Sequence, residues 1–144
     1  MLLGQYNHIL DGKNRLSLPS KVRRQLGKKV IVTKGLDGCL FLYTEKDWKN
    51  FSDKMSDLPM GQADTRAFSR FILGSATEID IDSNGRILLP SVLASFAKLK
   101  SKVVIAGVYS RMEIWDEKAW DKHQAENEKR ADALAEKLGD IGMI

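Results

Sequence analysis

The chain has 144 residues, 43% of them hydrophobic and 29% charged, the composition of one soluble folded domain that is too short for a multidomain enzyme. No apolar run approaches the ~18 to 20 residues that span a bilayer, and no basic flank precedes an apolar stretch at the N-terminus, so a cytoplasmic location without membrane partners is expected. One cysteine, Cys39, and two histidines, His8 and His123, exclude an internal disulfide and a zinc site of the usual Cys/His spacing; neither metal nor cofactor is expected.

The net charge of +4 hides an asymmetry: residues 1–43 carry 8 basic and 2 acidic groups, 44–74 carry 5 and 5, 75–115 carry 5 and 4, and 116–144 carry 5 and 8. The basic surplus lies at the front, which points to nucleic acid more strongly than the whole-chain value does.

In chain order, an extended segment at 5–10 runs into Asp11-Gly12 and Asn14, residues that tolerate positive φ and predict a tight reversal. A short β-prone stretch, Arg15 to Leu18, leads to Pro19-Ser20 and an amphipathic turn or two over 21–26, with Ser20 a candidate N-cap. Val30 to Thr33 and Cys39 to Tyr43 read as strands joined by a Gly-containing turn. A shift of 71 residues lays Asp11, Arg15, Leu18, Pro19 and Ser20 on Asp82, Arg86, Leu89, Pro90 and Ser91; a shift of 72 lays Gly35 on Gly107 and Glu45-Lys46-Asp47-Trp48 on Glu117-Lys118-Ala119-Trp120. The ββαββ unit is therefore duplicated, with strands expected at 77–81, 86–89, 103–106 and 112–115, a helical turn at 92–97 and Ser91 as the second candidate cap.

Between the copies, Trp48, Phe51, Met55 and Leu58, then Ala67, Phe68, Phe71 and Ile72, predict two linker helices broken near Pro59 to Gly61. The segment 116–138 is helix-prone and polar nearly all round, with Trp120, Leu134 and Leu138 as its large apolar anchors. A unit of ~45 residues cannot bury both faces of four short strands alone, so the two copies are expected to close one pseudo-twofold barrel. The fold class is mainly β with short helices, divided as 5–47 for a DNA-reading repeat, 48–75 for the linker, 76–119 for a mainly structural repeat and 120–144 for a polar helix and tail.

Catalysis has little to stand on. Nucleophile elbows, Walker loops, dinucleotide fingerprints and His-Glu-x-x-His helices are absent, so an enzyme and a small-molecule substrate are not expected. His8 reads as a surface or hydrogen-bonded residue and Cys39, beside Leu40-Phe41-Leu42, as a small buried hydrophobe. Tyr43, Trp48, Trp115 and Trp120 occupy equivalent places and suit packing better than base stacking, which favours duplex DNA over a single strand.

The repeated Asp-x-x-x-Arg can serve the turn alone, since an Asp opening a reversal accepts backbone N–H groups and an Arg four residues on can pair with it. Asp11, Asp82 and Arg86 are assigned that shaping role. Arg15 keeps different company: Lys13 precedes it, and Lys21, Arg23, Arg24, Lys28, Lys29 and Lys34 follow. Lys13, Asn14 and Arg15 are the candidate DNA-reading residues, with Lys21, Arg23 and Arg24 as candidate phosphate contacts; the alternative is an ordinary solvated face. A two-stranded ribbon is narrow enough for the major groove, where the planar Arg fork matches guanine O6 and N7.

Two Asp-x-x-x-Arg turns, each followed by an apolar strand and Pro, with Leu42-Tyr43 and Ile114-Trp115-Asp116-Glu117 at the unit ends and an initial Met-x-x-Gly-x-Tyr, closely resemble the MraZ family of bacterial transcriptional regulators over residues 1 to about 122. The resemblance implies an AbrB-like swapped-hairpin fold, here duplicated within one chain, in a double-psi-type barrel arrangement. It further implies a ring-shaped homo-oligomer and a nucleoid-associated repressor of the division and cell-wall gene cluster containing its own gene, reading G-rich direct repeats in double-stranded promoter DNA. The family's turn motif falls on Asp11 and Arg15, and on Asp82 and Arg86; this chain departs from the family's usual Gly before the first Arg by having Asn14, a residue that accepts the left-handed region. A competing class is an AbrB-type antitoxin or interaction module whose polar tail, 116–144, binds a protein partner; a small barrel enzyme is a third.

Overall fold

The structure, a computed structural model, describes residues 1–143. Each repeat contributes four strands. In the first they are β1 (Leu2–Ile9), β2 (Arg15–Ser17), β3 (Lys29–Lys34) and β4 (Leu40–Thr44), with a 3-10 turn (Ser20–Val22) and α1 (Arg23–Leu26) between β2 and β3. In the second they are β5 (Thr77–Asp80), β6 (Arg86–Leu88), β7 (Lys102–Tyr109) and β8 (Met112–Asp116), with α4 (Ser91–Phe96) inserted at the corresponding place. The linker forms α2 (Glu45–Ser56) and α3 (Ala63–Ile72), and the chain ends in α5 (Glu117–Asp140).

The two repeats are woven together. Six strands form one antiparallel sheet in the order β1-β7-β8-β4-β3-β5, while β2 and β6 form a separate two-stranded ribbon. Each repeat's first strand pairs with the third strand of the other, β1 with β7 and β5 with β3, and the fourth strands pair with each other across the pseudo-twofold axis. This exchange is the swapped-hairpin architecture in a single chain. The wall is a sheet plus a ribbon rather than one unbroken ladder, joined at the Leu10–Leu16 bridge.

Both sheet and ribbon surround one core. Leu16, Leu18, Val30, Val32, Ile87, Leu89, Ile105 and Ile114 lie within it and are essentially inaccessible. Transfer of such side chains from water stabilises a domain by roughly 1.5–3 kcal/mol each, so burial shared between repeats makes neither half self-sufficient. On the outer face of the sheet, Cys39, Phe41, Tyr43, Val104 and Trp115 form a second cluster, against which Trp48, Phe51 and Trp120 pack. Tyr43 meets Trp48 at 5.4 Å, and Trp115 meets Trp120 edge-on at 5.7 Å, so the equivalent aromatics fasten α2 and α5 to the sheet. Thr33, the buried polar residue of this region, donates its hydroxyl to Ile72 O and ties α3 to β3.

The expected serine caps are not made. Pro19 and Pro90 take the N-cap places, with φ near −60° and extended ψ, and no side chain caps either helix. The reason is local: the proline carbonyls accept from Val22 and Leu93 N–H groups, so Ser20 and Ser91 already stand inside the first turn. Thr44 and Asp116 are the capping residues that do form, accepting from the N–H groups of Asp47 and Ala119.

Candidate nucleic-acid interface

Both turns are built outward from a carboxylate. Asp11 Oδ1 accepts the backbone N–H groups of Lys13 and Arg15, each at 2.9 Å, and Oδ2 accepts Arg15 Nε at 2.7 Å. Asp82 repeats this with Asn84 and Arg86 N–H groups at 2.9 Å and Arg86 Nε at 3.1 Å. The residue before each arginine stands in the left-handed region, Asn14 at φ 61° and Gly85 at φ 75°. The Arg15 backbone N–H first, then its side chain and the Lys13 N–H, hold Asp11 below the ordinary carboxylate range, to about 2. Asp82 is lowered by the equivalent donors, the Arg86 N–H first. Both carboxylates stay ionised at neutral pH and act as anchors rather than as acids or bases.

Anchoring through Nε leaves the Nη1/Nη2 edge of each guanidinium for a ligand. That edge is a fork of parallel donors, the geometry that suits guanine O6 and N7 or two phosphate oxygens. The pairing of β2 with β6 then decides where the forks go. Arg15 stands opposite Leu88, Leu16 opposite Ile87, and Ser17 opposite Arg86. Leu16 and Ile87 point into the core, so strand alternation turns Arg15, Ser17, Arg86 and Leu88 outward on one face. Diagonal neighbours on such a ribbon are ~7–8 Å apart, and the two motif arginines occupy one diagonal.

The ribbon is also clasped from both ends. Leu18 N–H donates to Gly85 O and Leu89 N–H to Asn14 O, each at 2.9 Å, so each turn is held by the strand end of the other repeat.

The remaining cations of the first repeat divide. Lys13, Lys21, Arg24 and Lys28 are exposed. Lys29 faces Glu78 at 3.7 Å and Asp80 at 3.9 Å, and Lys34 Nζ lies over the Phe96 ring at 5.3 Å. Arg23 donates through Nε and Nη2 to Leu18 O, at 3.2 and 3.1 Å, and its guanidinium packs on Gly85. Arg23 thus ties the end of β2 to the turn of the second repeat, whereas Lys21 and Arg24 are exposed. His8 is half-buried, its pKa lowered by burial and then by the nearby Arg23 charge. Cys39 is fully buried and its thiol is pushed up by that burial, the opposite of what a nucleophile needs. Among the described residues no cluster of His, Cys, Asp and Glu could hold a metal ion, and no helix is long and apolar enough to cross a membrane.

Two matches of one family profile, described as "MraZ protein, putative antitoxin-like", cover residues 1–71 and 72–140. The chain belongs to the MraZ family. It is 43% identical over 143 residues to the transcriptional regulator MraZ of Thermoanaerobacter sp. (strain X514), covering 99% of this chain and 100% of that protein. It is likewise 43% identical over 143 residues to the MraZ of Caldicellulosiruptor saccharolyticus, at the same coverage, and 44% identical over 141 residues to that of Desulforamulus reducens, covering 98% and 99% of the two chains. These relatives are named as regulators of transcription, which is not an enzyme class. The division between the two MraZ units falls at the last residue of α3, so each unit supplies one Asp-x-x-x-Arg turn and one strand of the ribbon. The two turns are legible in the sequence, whereas the shared outward face of Arg15, Ser17, Arg86 and Leu88 comes only from the β2–β6 register. The period-two alternation of Arg86, Ile87 and Leu88 was the available signal.

Proposed function

We propose that this MraZ-family chain is a DNA-binding transcriptional regulator that lays the outer face of its β2–β6 ribbon against the major groove of double-stranded DNA. Arg15 reads guanine through its free Nη1/Nη2 edge, with Lys13 and Asn14 beside it in the turn, and Lys21 and Arg24 contact flanking phosphates. Arg86 joins the same face from the second repeat. The observation that carries this reading is the pair of carboxylate-anchored arginines on one exposed two-stranded ribbon. Pinning Nε fixes the fork before the ligand arrives, so little side-chain freedom is lost on binding.

One ribbon binds weakly, with non-specific Kd of order 10⁻⁴ to 10⁻⁶ M at physiological salt. A ring-shaped homo-oligomer presenting several ribbons to several short G-rich direct repeats multiplies that affinity through effective concentration. On this reading the chain is a nucleoid-associated repressor of the division and cell-wall gene cluster containing its own gene. A gel shift with the duplex upstream of that gene, at two salt concentrations and against a scrambled sequence, tests it. Preferential retardation of the upstream duplex that weakens with salt is expected; equal binding to the scrambled duplex contradicts sequence reading.

The antitoxin-like wording of the family description and the lack of any buried residue in α5 favour a second reading, in which α5 docks a partner protein. A pull-down with the full chain that yields no stoichiometric partner discards it.

A further inference from the structure

The ribbon's two halves are not equivalent. Under the pseudo-twofold relation, Ser17 of the first repeat corresponds to Leu88 of the second, and Lys21 corresponds to Val92. Because the strands pair across repeats, Arg15 stands beside Leu88 and Arg86 stands beside Ser17. Leu88 is 59% exposed on the outward face although it lies between the two motif arginines, and Val92 is 64% exposed. An apolar side chain held in water among cations adds nothing to the core, where Ile87 already fills the inward position.

We propose that Leu88 is a specificity-determining residue that packs on the 5-methyl group of a thymine next to the guanine read by Arg15. This rests on the DNA-reading function proposed above and deepens it. The major-groove edge of a T·A pair is distinguished by that methyl group, and an aliphatic side chain is the complement that a hydrogen-bonding residue cannot supply. A protein partner in place of DNA is disfavoured by the company: Leu88 is flanked on its own face by two guanidinium forks and a hydroxyl, a surface complementary to a phosphate-lined groove.

The same contact gives the ribbon a direction. Two identical halves related by a twofold axis would read a palindrome, because each strand of the duplex would present the same pattern to each half. With Arg15 and Leu88 in one half and Arg86 and Ser17 in the other, one half selects a guanine–thymine step and the other accepts any base beside its guanine. A ribbon of this kind reads a polar site, and repeated polar sites are direct repeats.

The test uses the full chain and the upstream duplex bound in the gel shift, with each thymine replaced in turn by deoxyuridine, which removes only the methyl group. One substitution is expected to weaken wild-type binding about three- to ten-fold, the effect of losing one buried methyl contact. Leu88→Ala should bind the unmodified duplex weaker by a similar factor and be indifferent to that deoxyuridine. Leu88→Ser, which copies the Ser17 half, should behave as Leu88→Ala does, and both should keep the wild-type oligomer mass. The assignment is overturned if no deoxyuridine weakens wild-type binding, if the effect persists unchanged in both variants, or if the variants change the oligomer mass. A wild-type chain that binds no duplex preferentially overturns the underlying DNA-reading function, a separate and earlier failure.

Discussion

The guanidinium of Arg23 lies directly on Gly85, where a Cβ would meet its Cζ and Nε, and donates from there to Leu18 O. Because Leu18 N–H in turn donates to Gly85 O, one arginine of the first repeat locks the turn of the second. The residue equivalent to Arg23 in the second repeat is Ala94, which offers no such group to Asn14. At the same positive-φ position, a Cβ on Gly85 would have to move the Arg23 guanidinium, whereas Asn14 already carries a side chain.

Gly85→Ala should therefore be costly. The left-handed backbone costs a Cβ about 1–2 kcal/mol, and displacing Arg23 loses charge-assisted bonds worth about 1.5–3 kcal/mol. In an Arg23→Ala background only the backbone cost should remain, so urea unfolding of the two single variants and the double variant should give less than additive losses. Asn14→Gly, by contrast, should change stability by less than about 1 kcal/mol.

Asp11 titrates well below ordinary carboxylates, so the turn's contribution is fully present above the unfolded carboxylate value of ~4 and is lost only as pH falls towards 2. DNA affinity should show no inflection from this group between pH 5 and 8. Asp11→Asn keeps an oxygen for the backbone N–H groups but removes the charge that fixes Arg15. It should weaken repeat-DNA binding about ten-fold while leaving the thermal midpoint within a few degrees, as fluorescence anisotropy and a melting curve would report.

Exposed Lys13 should act on affinity without sequence preference. Lys13→Ala is expected to weaken binding to specific and scrambled duplexes alike and to reduce the slope of log affinity against log salt by about 1. Arg86→Ala should instead weaken the specific duplex selectively; equal losses on both duplexes would make Arg86 a phosphate contact, and no loss on either would return it to a purely turn-shaping role.

His8 makes the fold sensitive to mild acid. Its folded-state pKa lies below the ordinary value, through burial first and the Arg23 charge second, so the unfolded chain binds the proton more tightly. Stability is greatest above the unfolded value of ~6.5 and declines as pH falls from there towards the folded value. His8→Gln should flatten the pH dependence of the unfolding midpoint over that window. The effect should be small, because the ring is only partly buried and solvent screens the charge.

The repeat, the two turns and the linker helices were legible because each is written in local sequence: positive-φ residues, apolar periodicity and matching spacing. The weave was not. Which strand pairs with which is decided between residues some 50–100 positions apart, as in Tyr6 with Ile105 or Val30 with Ile79. The same distance hid the ribbon's composition, since Leu88 meets Arg15 only through inter-repeat pairing, and the packing of Arg23 on Gly85 likewise joins residues far apart in the chain. The serine caps failed for a local reason, the proline carbonyl already opening each helix.

The central claim is that a carboxylate-anchored Arg15 on the ribbon's outer face reads duplex DNA, and Arg15→Ala tests it most directly. Titrating the upstream duplex with the wild-type chain and with this variant, at matched oligomer mass by light scattering, should show repeat-specific binding abolished while assembly and melting midpoint are kept. Specific binding by Arg15→Ala indistinguishable from wild type would contradict the claim.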